Sequence, residues 1–414
     1  MKNSGDWQYT HDFIVETMEK IRRPAGGMLA HPFLSITCGS VYAESIFCWD
    51  NHHMTLRYAA AGEFEQMLYF LKNMFLYQTS DGYTPCVNSR ENGGCQIQYF
   101  HAQPYLAQNA AIYLNETGDL KPVAELYPKL AAYLKYWLTA FEAPFGLCRW
   151  GEAYMSGFDN EIAGSTLPPG AAVSPDLNAL LYLELRAMAF IAGRMDLSVD
   201  AAEYLRTAET LNENINRYLW DEEYGTYAVL DLTSGKRMLH YPGRDFNGTF
   251  GVYAYVSCPA LLPLYAGIAS ADQARRAIEG YVLNPAHFRS RFGIRSLSKS
   301  SEYYNNAVWG NPGRYTDYRR TTNSNWQGPV WIPLNWFALH ALLRYGYNEA
   351  AAKLAEDSVM VIAHNVRKYG YMAENFDAET GENLYAKNFA SWNILADIMT
   401  DFLNPDSVPF KMFF

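Results

Sequence analysis

Asn325-Trp326-Gln327-Gly328-Pro329-Val330-Trp331 runs without interruption into Leu334-Asn335-Trp336. A loop dense in aromatic and amide side chains there opens directly into helical periodicity, predicted over 328–345. The arrangement recurs. Phe47-Cys48-Trp49-Asp50-Asn51-His52-His53 leads into a helix predicted over 53–77, and Tyr99-Phe100-His101-Ala102-Gln103-Pro104-Tyr105 into one over 103–115. Further helices are predicted over 10–22, 120–142, 176–195, 199–218, 258–281, 348–368 and 388–403. Ser174-Pro175-Asp176 and Asn348-Glu349 give two of them clear starts. Strand signals are few. Gly225 to Asp231 reads as one arm of a hairpin ending near Thr233-Ser234-Gly235.

So many helices, in a composition that stays even and has no Pro/Gly/Ser linker, predict a single all-α domain over 1–414, with a short N-terminal extension at about 1–25. No fixed repeat of 34 or 40 residues is present, which favours a helical toroid over the common solenoids. In such a barrel inner and outer helices alternate, and loops at one rim gather polar residues around one pocket. Functional loops are then expected all along the chain.

The gross composition narrows the function. With 49% apolar and 18% charged residues, the chain can bury a sizeable core. A net charge of −10 argues against nucleic acid and against an anionic membrane surface, both of which need clustered Lys and Arg. No apolar run is long enough to span a bilayer, and Met1 to Trp7 lacks the pattern of a signal peptide. The expectation is a cytoplasmic protein. Six cysteines (38, 48, 86, 95, 148 and 258) contain no C-x-x-C and read as reduced thiols, although Cys86 and Cys95 could pair in an exported protein. Aromatic residues make up 15%, which suits a core and also suits stacking on the apolar faces of sugars.

Two loops carry candidate chemistry. Trp150-Gly-Glu-Ala-Tyr-Met-Ser-Gly-Phe-Asp159-Asn160-Glu161 joins two predicted helices and sets carboxylates among aromatics, where Asp159 could be desolvated and kept protonated. Tyr371-Met-Ala-Glu374-Asn375-Phe376-Asp377 does the same near the other end. Asp377 to Gly381 reads as a tight turn, which leaves Glu374 as the better pocket carboxylate. Two remote carboxylates suit glycosidic bond cleavage, one protonating the leaving oxygen and the other working on the opposite face of the sugar. Adjacent His52 and His53 point in different directions on a helix, and no third ligand lies nearby, so no metal site is expected. Gly-rich phosphate loops and a G-x-S-x-G elbow are absent.

Taken in order, these loops resemble the trehalase-like and processing α-glucosidase-like glycosidases, families 37 and 63 of the glycoside hydrolases, from about Gly26 to Ile398. Trp49-Asp50 resembles a Trp-Asp near the first inner helix. Ser156-Gly157-Phe158-Asp159-Asn160 resembles the segment bearing the general acid, and Ser174-Pro175-Asp176-Leu177-Asn178 the segment after it. Phe292-Gly293-Ile294-Arg295-Ser296-Leu297 is similar to a rim loop, and Asn325 to Trp331 to the Tyr-Trp-Arg-Gly-Pro-x-Trp sugar motif. Glu374-Asn375-Phe376-Asp377 resembles the segment holding the base.

The resemblance implies an (α/α)6 barrel and anomeric inversion with Asp159 as acid and Glu374 as base. It also implies no catalytic metal or organic cofactor, and a small glycoside of α-glucoside, trehalose or glycosylglycerate type as substrate. Trp49, Asp50, Gln103, Trp326, Gln327, Gly328 and Trp331 would border the sugar. Gln327 departs from the motif, standing where an arginine is expected. Ser298 to Tyr318, rich in Tyr, Asn and Gly, is the expected lid. Two other readings are a sugar isomerase or epimerase working through His52, His53 and His101, and a sugar-binding protein without activity.

Overall fold

Two of the predicted helices form as read: Pro175–Arg194 begins at its proline, where the missing N–H costs nothing, and Asn348–Tyr369 begins at Asn348. The computed structural model describes residues 5–39, 42–95, 100–244, 250–254, 256–308 and 324–412. Among them helices dominate, and the strands are two to five residues long. By its internal contacts the chain divides into two compact units that alternate along the sequence. One comprises 1–10, 143–179 and 213–387, and the other 11–142, 180–212 and 388–414.

Three predicted helices are broken. The stretch read as 53–77 is two helices, Cys48–Ala60 and Glu65–Met74, separated at Gly62, whose φ of +80° turns the chain out of the helix. The stretch 258–281 starts as a single 3-10 turn at Cys258–Leu261. A short α-helical turn, Leu262–Tyr265, follows, and a separate helix starts at Ala271–Ala277, where Ser270 and Gln273 form a reciprocal capping box. Residues 388–403 form two 3-10 segments, Ser391–Leu395 and Met399–Leu403. Only the end of the predicted arm makes the expected hairpin: Leu230–Asp231 pairs with Lys236–Arg237 on one side and with Ala172–Val173 on the other, while Thr226–Tyr227 pairs back with Trp220–Asp221.

In the unit containing 11–142, Cys48–Ala60 packs against Glu65–Met74 and Ser391–Leu395, and residues 48–59 are all buried. Many of these are polar, so the helix needs internal partners. Arg57 meets Asp397 through two charge-assisted hydrogen bonds, Nε to Oδ1 at 2.9 Å and Nη2 to Oδ2 at 2.8 Å, with both side chains buried. His11 shares the same carboxylate at 2.8 Å, and that contact raises its pKa. The Gly5–Lys20 helix buries Ile14 and Met18, and the Met18 carbonyl accepts from the Tyr58 hydroxyl.

In the other unit Ile332–Arg344 lies along Asn348–Tyr369. A cluster of buried residues, among them Ile162, Leu167, Val229, Met238 and Tyr303, fills the space around the Ile162–Thr166 helix that follows Asp159. No described helix is long and apolar enough to cross a membrane. Asp397→Ala would leave the Arg57 guanidinium buried without its carboxylate, so denaturant titration should show a loss of about 3–5 kcal/mol. A loss under about 1 kcal/mol, the size of an exposed pair, would mean that Arg57 does not depend on this partner.

Candidate active site

The Asn325–Trp331 segment, which bends at Gln327 and Gly328, is held in place by its own side chains. Trp326 and Trp331 stack at 3.8 Å with their planes 10° apart, both fully buried. The Trp331 indole N–H donates to the Asn325 carbonyl at 3.0 Å, and that of Trp326 to the Ser324 hydroxyl at 2.8 Å. Gly328 is obligatory for a steric reason: a Cβ there would lie 2.0 Å from the Asn305 carbonyl oxygen.

On one side this segment grips the loop of the candidate acid. Phe158 packs on Trp326 at 4.8 Å. The side chain of Asn160, next to Asp159, accepts from the Trp326 N–H at 2.6 Å and donates to the Asn325 side chain at 3.2 Å. Asp159 itself is half-buried. Glu161, the third carboxylate of the stretch, is structural. It caps the Ile162–Thr166 helix through the Gly164 N–H and accepts from the Ser257 hydroxyl at 2.6 Å, while burial pushes its carboxyl up.

On the other side the segment grips the loop of the candidate base. Val330 and Phe376 exchange both backbone hydrogen bonds, at 2.8 and 3.0 Å. Glu374 is half-buried, and its N–H donates to the Tyr385 carbonyl at 3.0 Å. Asp377 closes the expected turn by accepting from the N–H groups of Glu379 and Thr380. Thus Asp159, Glu374, Trp326, Gln327, Gly328 and Trp331 belong to one bonded assembly.

Gln327, expected to read a sugar hydroxyl, engages both ends of its carboxamide inside the protein. Its Nε2 donates to the Asn160 carbonyl at 2.9 Å, and its Oε1 accepts from the Asn305 amide at 3.3 Å. Arg295, which the sequence presents only as part of a rim motif, emerges as a clamp. Buried, it bonds the Glu379 carboxylate at 2.9 Å and the carbonyls of Pro285, His287 and Arg289. Burial alone would raise the Glu379 carboxyl, but hydrogen bonds from Lys299, Tyr304 and Arg295 hold it down at about 2. Lys299, Tyr304 and Asn306 also tie the described part of the expected lid to the turn after Glu374. The remainder of that segment, 309–318, lies outside the described residues, as do Tyr99 and the Cys95 side chain.

Trp49, Asp50 and Gln103 fall in the other unit. Trp49 packs on Trp392 at 4.9 Å, and Asp50 accepts from the Ser391 hydroxyl at 2.7 Å. Burial raises Asp50 to about 7. The Gln103 carbonyl accepts from the Cys48 thiol and the Tyr133 hydroxyl, joining its loop to the start of the Cys48–Ala60 helix. The histidines are committed to the core. His52 Nδ1 accepts from Asn109 at 2.7 Å, and His53 Nδ1–H donates to the Trp49 carbonyl at 2.7 Å. His101 accepts from the Thr84 N–H and donates to the Tyr133 carbonyl. Burial lowers His53 to about 4 and His101 to about 3, and His52 well below its ordinary value.

Residues 44–392 match the model of the mannosylglycerate hydrolase MGH1-like glycoside hydrolase domain. The chain belongs to this family. It is 27% identical over 233 residues to the mannosylglycerate hydrolase of Rubrobacter radiotolerans, covering 54% of this chain and 43% of that protein. It is 24% identical over 262 residues to the periplasmic trehalase of Escherichia coli O17:K52:H18, covering 61% and 39% respectively. The chain therefore spans 43% and 39% of the length of these curated relatives. Among solved structures, the GH63 mannosylglycerate hydrolase of Thermus thermophilus in complex with glucose superposes with a TM-score of 0.71 at 19% identity, over 94% of this chain and 99% of that one. That likeness shows the fold, the all-α (α/α)6 barrel expected from the sequence.

The raised Asp50 carboxyl gives this member of the MGH1-like family a pH signature. Folded, Asp50 holds its proton up to about 7; unfolded, it ionises near the ordinary aspartate value of about 4. The unfolded state therefore binds fewer protons between those values, and stability falls as pH rises across that window. Asp50→Asn removes this loss, so denaturant titrations should find the variant gaining on the wild type from pH ~4 to ~7. Parallel stability curves would show that Asp50 is ionised throughout.

Proposed function

We propose that this chain is an inverting glycoside hydrolase acting on a small glycoside of the mannosylglycerate or glucosylglycerate kind, with trehalose as the next substrate to try. The observation that carries the reading is the double attachment of the Asn325–Trp331 segment, through Asn160 to the loop of Asp159 and through Phe376 to the loop of Glu374. One short, rigid piece of chain thus sets two remote carboxylates in a common frame, and a two-carboxylate mechanism requires such a frame. Membership of a glycoside hydrolase family supports the same assignment.

In the proposed reaction Asp159, protonated at the start, gives its proton to the glycosidic oxygen as the anomeric C–O bond breaks. Glu374, ionised, takes a proton from the water that attacks the opposite face of the anomeric carbon. The products are a free sugar of inverted configuration and the released alcohol, and each carboxyl then exchanges its proton with solvent. Trp326, Gly328 and Trp331 brace the loops that carry the acid and the base. The sugar-binding roles of Trp49, Asp50 and Gln103 belong to the same proposal, supported by the likeness of Trp49-Asp50 to the Trp-Asp of related glycosidases. The three histidines, uncharged and bonded to protein groups, give the isomerase reading no comparable support. A cytoplasmic setting completes the reading, consistent with the buried thiols of Cys48 and Cys258, whose ionisation burial opposes.

A proton NMR time course on mannosylglycerate, glucosylglycerate, trehalose, maltose and kojibiose tests this directly. Release of sugar with the opposite anomeric configuration is expected on at least one of them. Retention of configuration would remove Glu374 from the role of base. Asp159→Asn and Glu374→Gln should each lower kcat by about 10² to 10⁴ with circular dichroism unchanged, and near-wild-type turnover in either variant would refute that residue's role.

A further inference from the structure

Four residues beside the candidate acid close into a ring, Asn305, Asn325 and Gln327 through both ends of their carboxamides and Asn160 through its side-chain amide and its backbone carbonyl. The Asn305 side chain donates to Gln327 Oε1 at 3.3 Å, and Gln327 Nε2 donates to the Asn160 carbonyl at 2.9 Å. Asn160 Nδ2 donates to Asn325 Oδ1 at 3.2 Å, and Asn325 Nδ2 returns to Asn305 Oδ1 at 2.8 Å. Every member gives a hydrogen bond to the next and receives one from the last. From Asn160 through Asn325 and Asn305 to Gln327 the bonds run head to tail and polarise one another, and the last of them ends on the backbone of the Asp159 loop itself. Three of its members, Asn160, Asn325 and Gln327, are almost wholly buried, and burial makes any unmet amide costly.

We infer that Gln327 is a positioning residue, which fixes the Asp159 loop by closing this ring, and that this is why glutamine stands where the related motif has arginine. The inference rests on Asp159 being the acid. The chemistry of position 327 is restrictive, because the residue must donate to one neighbour and accept from another. Glutamine does both with a single planar group. Arginine can reach the Asn160 carbonyl but has no acceptor for the Asn305 amide. Glutamate accepts from Asn305 but sets a charge against the Asn160 carbonyl. Methionine fills the space and does neither. The neighbouring segment is already fixed by the Gly328 N–H donating to Ser296 and by the Asn305 N–H donating to the Gln327 carbonyl, so replacing the side chain alone opens the ring.

The test uses Gln327→Met and Gln327→Arg in the full chain, checked first for unchanged melting behaviour, with two readouts. Hydrogen exchange is followed in the 156–166 segment by mass spectrometry and needs no substrate. The expectation is several-fold faster exchange there in both variants, with other segments unaltered. On whichever glycoside the wild type hydrolyses, kcat should fall by about 10²-fold, the scale of a misplaced catalytic group, with KM nearly constant. The alkaline limb of the kcat profile should also move to lower pH as the acid becomes better hydrated.

Unchanged exchange in both variants would overturn the inference, whatever the kinetics. A rise in KM alone would make Gln327 a sugar ligand and overturn it too. Wild-type activity restored in Gln327→Arg but not in Gln327→Met would show that only the donor matters, contrary to the ring. If the wild type turns over no glycoside while exchange still quickens, the hydrolase reading fails and the ring's hold on the loop stands.

Discussion

The paired hydrogen bonds between Val330 and Phe376 and the bond from the Trp326 N–H to Asn160 together hold the loops of Asp159 and Glu374. Loops between helices have no ladder of their own, and a catalytic carboxylate on a loop is only as well placed as the groups that hold its backbone. Here one seven-residue segment supplies that hold in both directions. Its rigidity comes from two stacked indoles and from a glycine lying so close to a neighbouring carbonyl that no side chain fits. The chemistry proposed for Asp159 and Glu374 depends on this brace as much as on the two carboxylates themselves.

The other unit solves a different problem by similar means. Its Cys48–Ala60 helix is buried all round yet carries Asp50, Asn51, His52, His53, Thr55 and Arg57. Burial of so much polarity is tolerable only where partners are built in. Ser391 meets Asp50, Leu34 and Phe47 meet Asn51, Asn109 meets both His52 and Thr55, and Asp397 meets Arg57. Glu184 extends the pattern, accepting from the N–H groups of Ala107 and Gln108 in the first turn of the Leu106–Thr117 helix while burial raises its own carboxyl to about 7. Such helices are specified by hydrogen bonding as well as by apolar packing.

Much of this is legible in the sequence, for identifiable reasons. Pro175 marks a helix start because a proline suits the first helical position by its own geometry, and the Asp377 turn is readable because an aspartate bonding the N–H groups two and three residues on needs no distant partner. The loops of Asp159, Glu374 and Trp326 stand out by their mix of aromatics and carboxylates. What escapes is everything set by distant contact. Residues 258–281 carry helical periodicity, yet they form short separate pieces, the last of which restarts where Ser270 and Gln273 cap each other, an S-x-x-Q signal that is present in the sequence. Arg295 and Asn305 lie in stretches without periodicity, and nothing local announces that one will clamp Glu379 and the other bond Gln327. Gln327 reads as a sugar ligand because its motif is a sugar motif in related glycosidases, whereas its partners lie 167 and 22 residues away.

That last separation bears on how the molecule is made. Asn160 and Trp326 are 166 positions apart, and Arg57 and Asp397 are 340 apart. Contacts of such span form late, since the entropy of closing a long loop must be overcome before they contribute. During synthesis the Asp159 loop emerges long before Trp326 and Gln327, and it lacks those two partners until the chain has grown past residue 327. A nascent or truncated chain can therefore build many of its helices while lacking any organised reaction centre. Its buried amides and charges would remain exposed to water over that interval, and chaperones would have the most to protect in that half-made state.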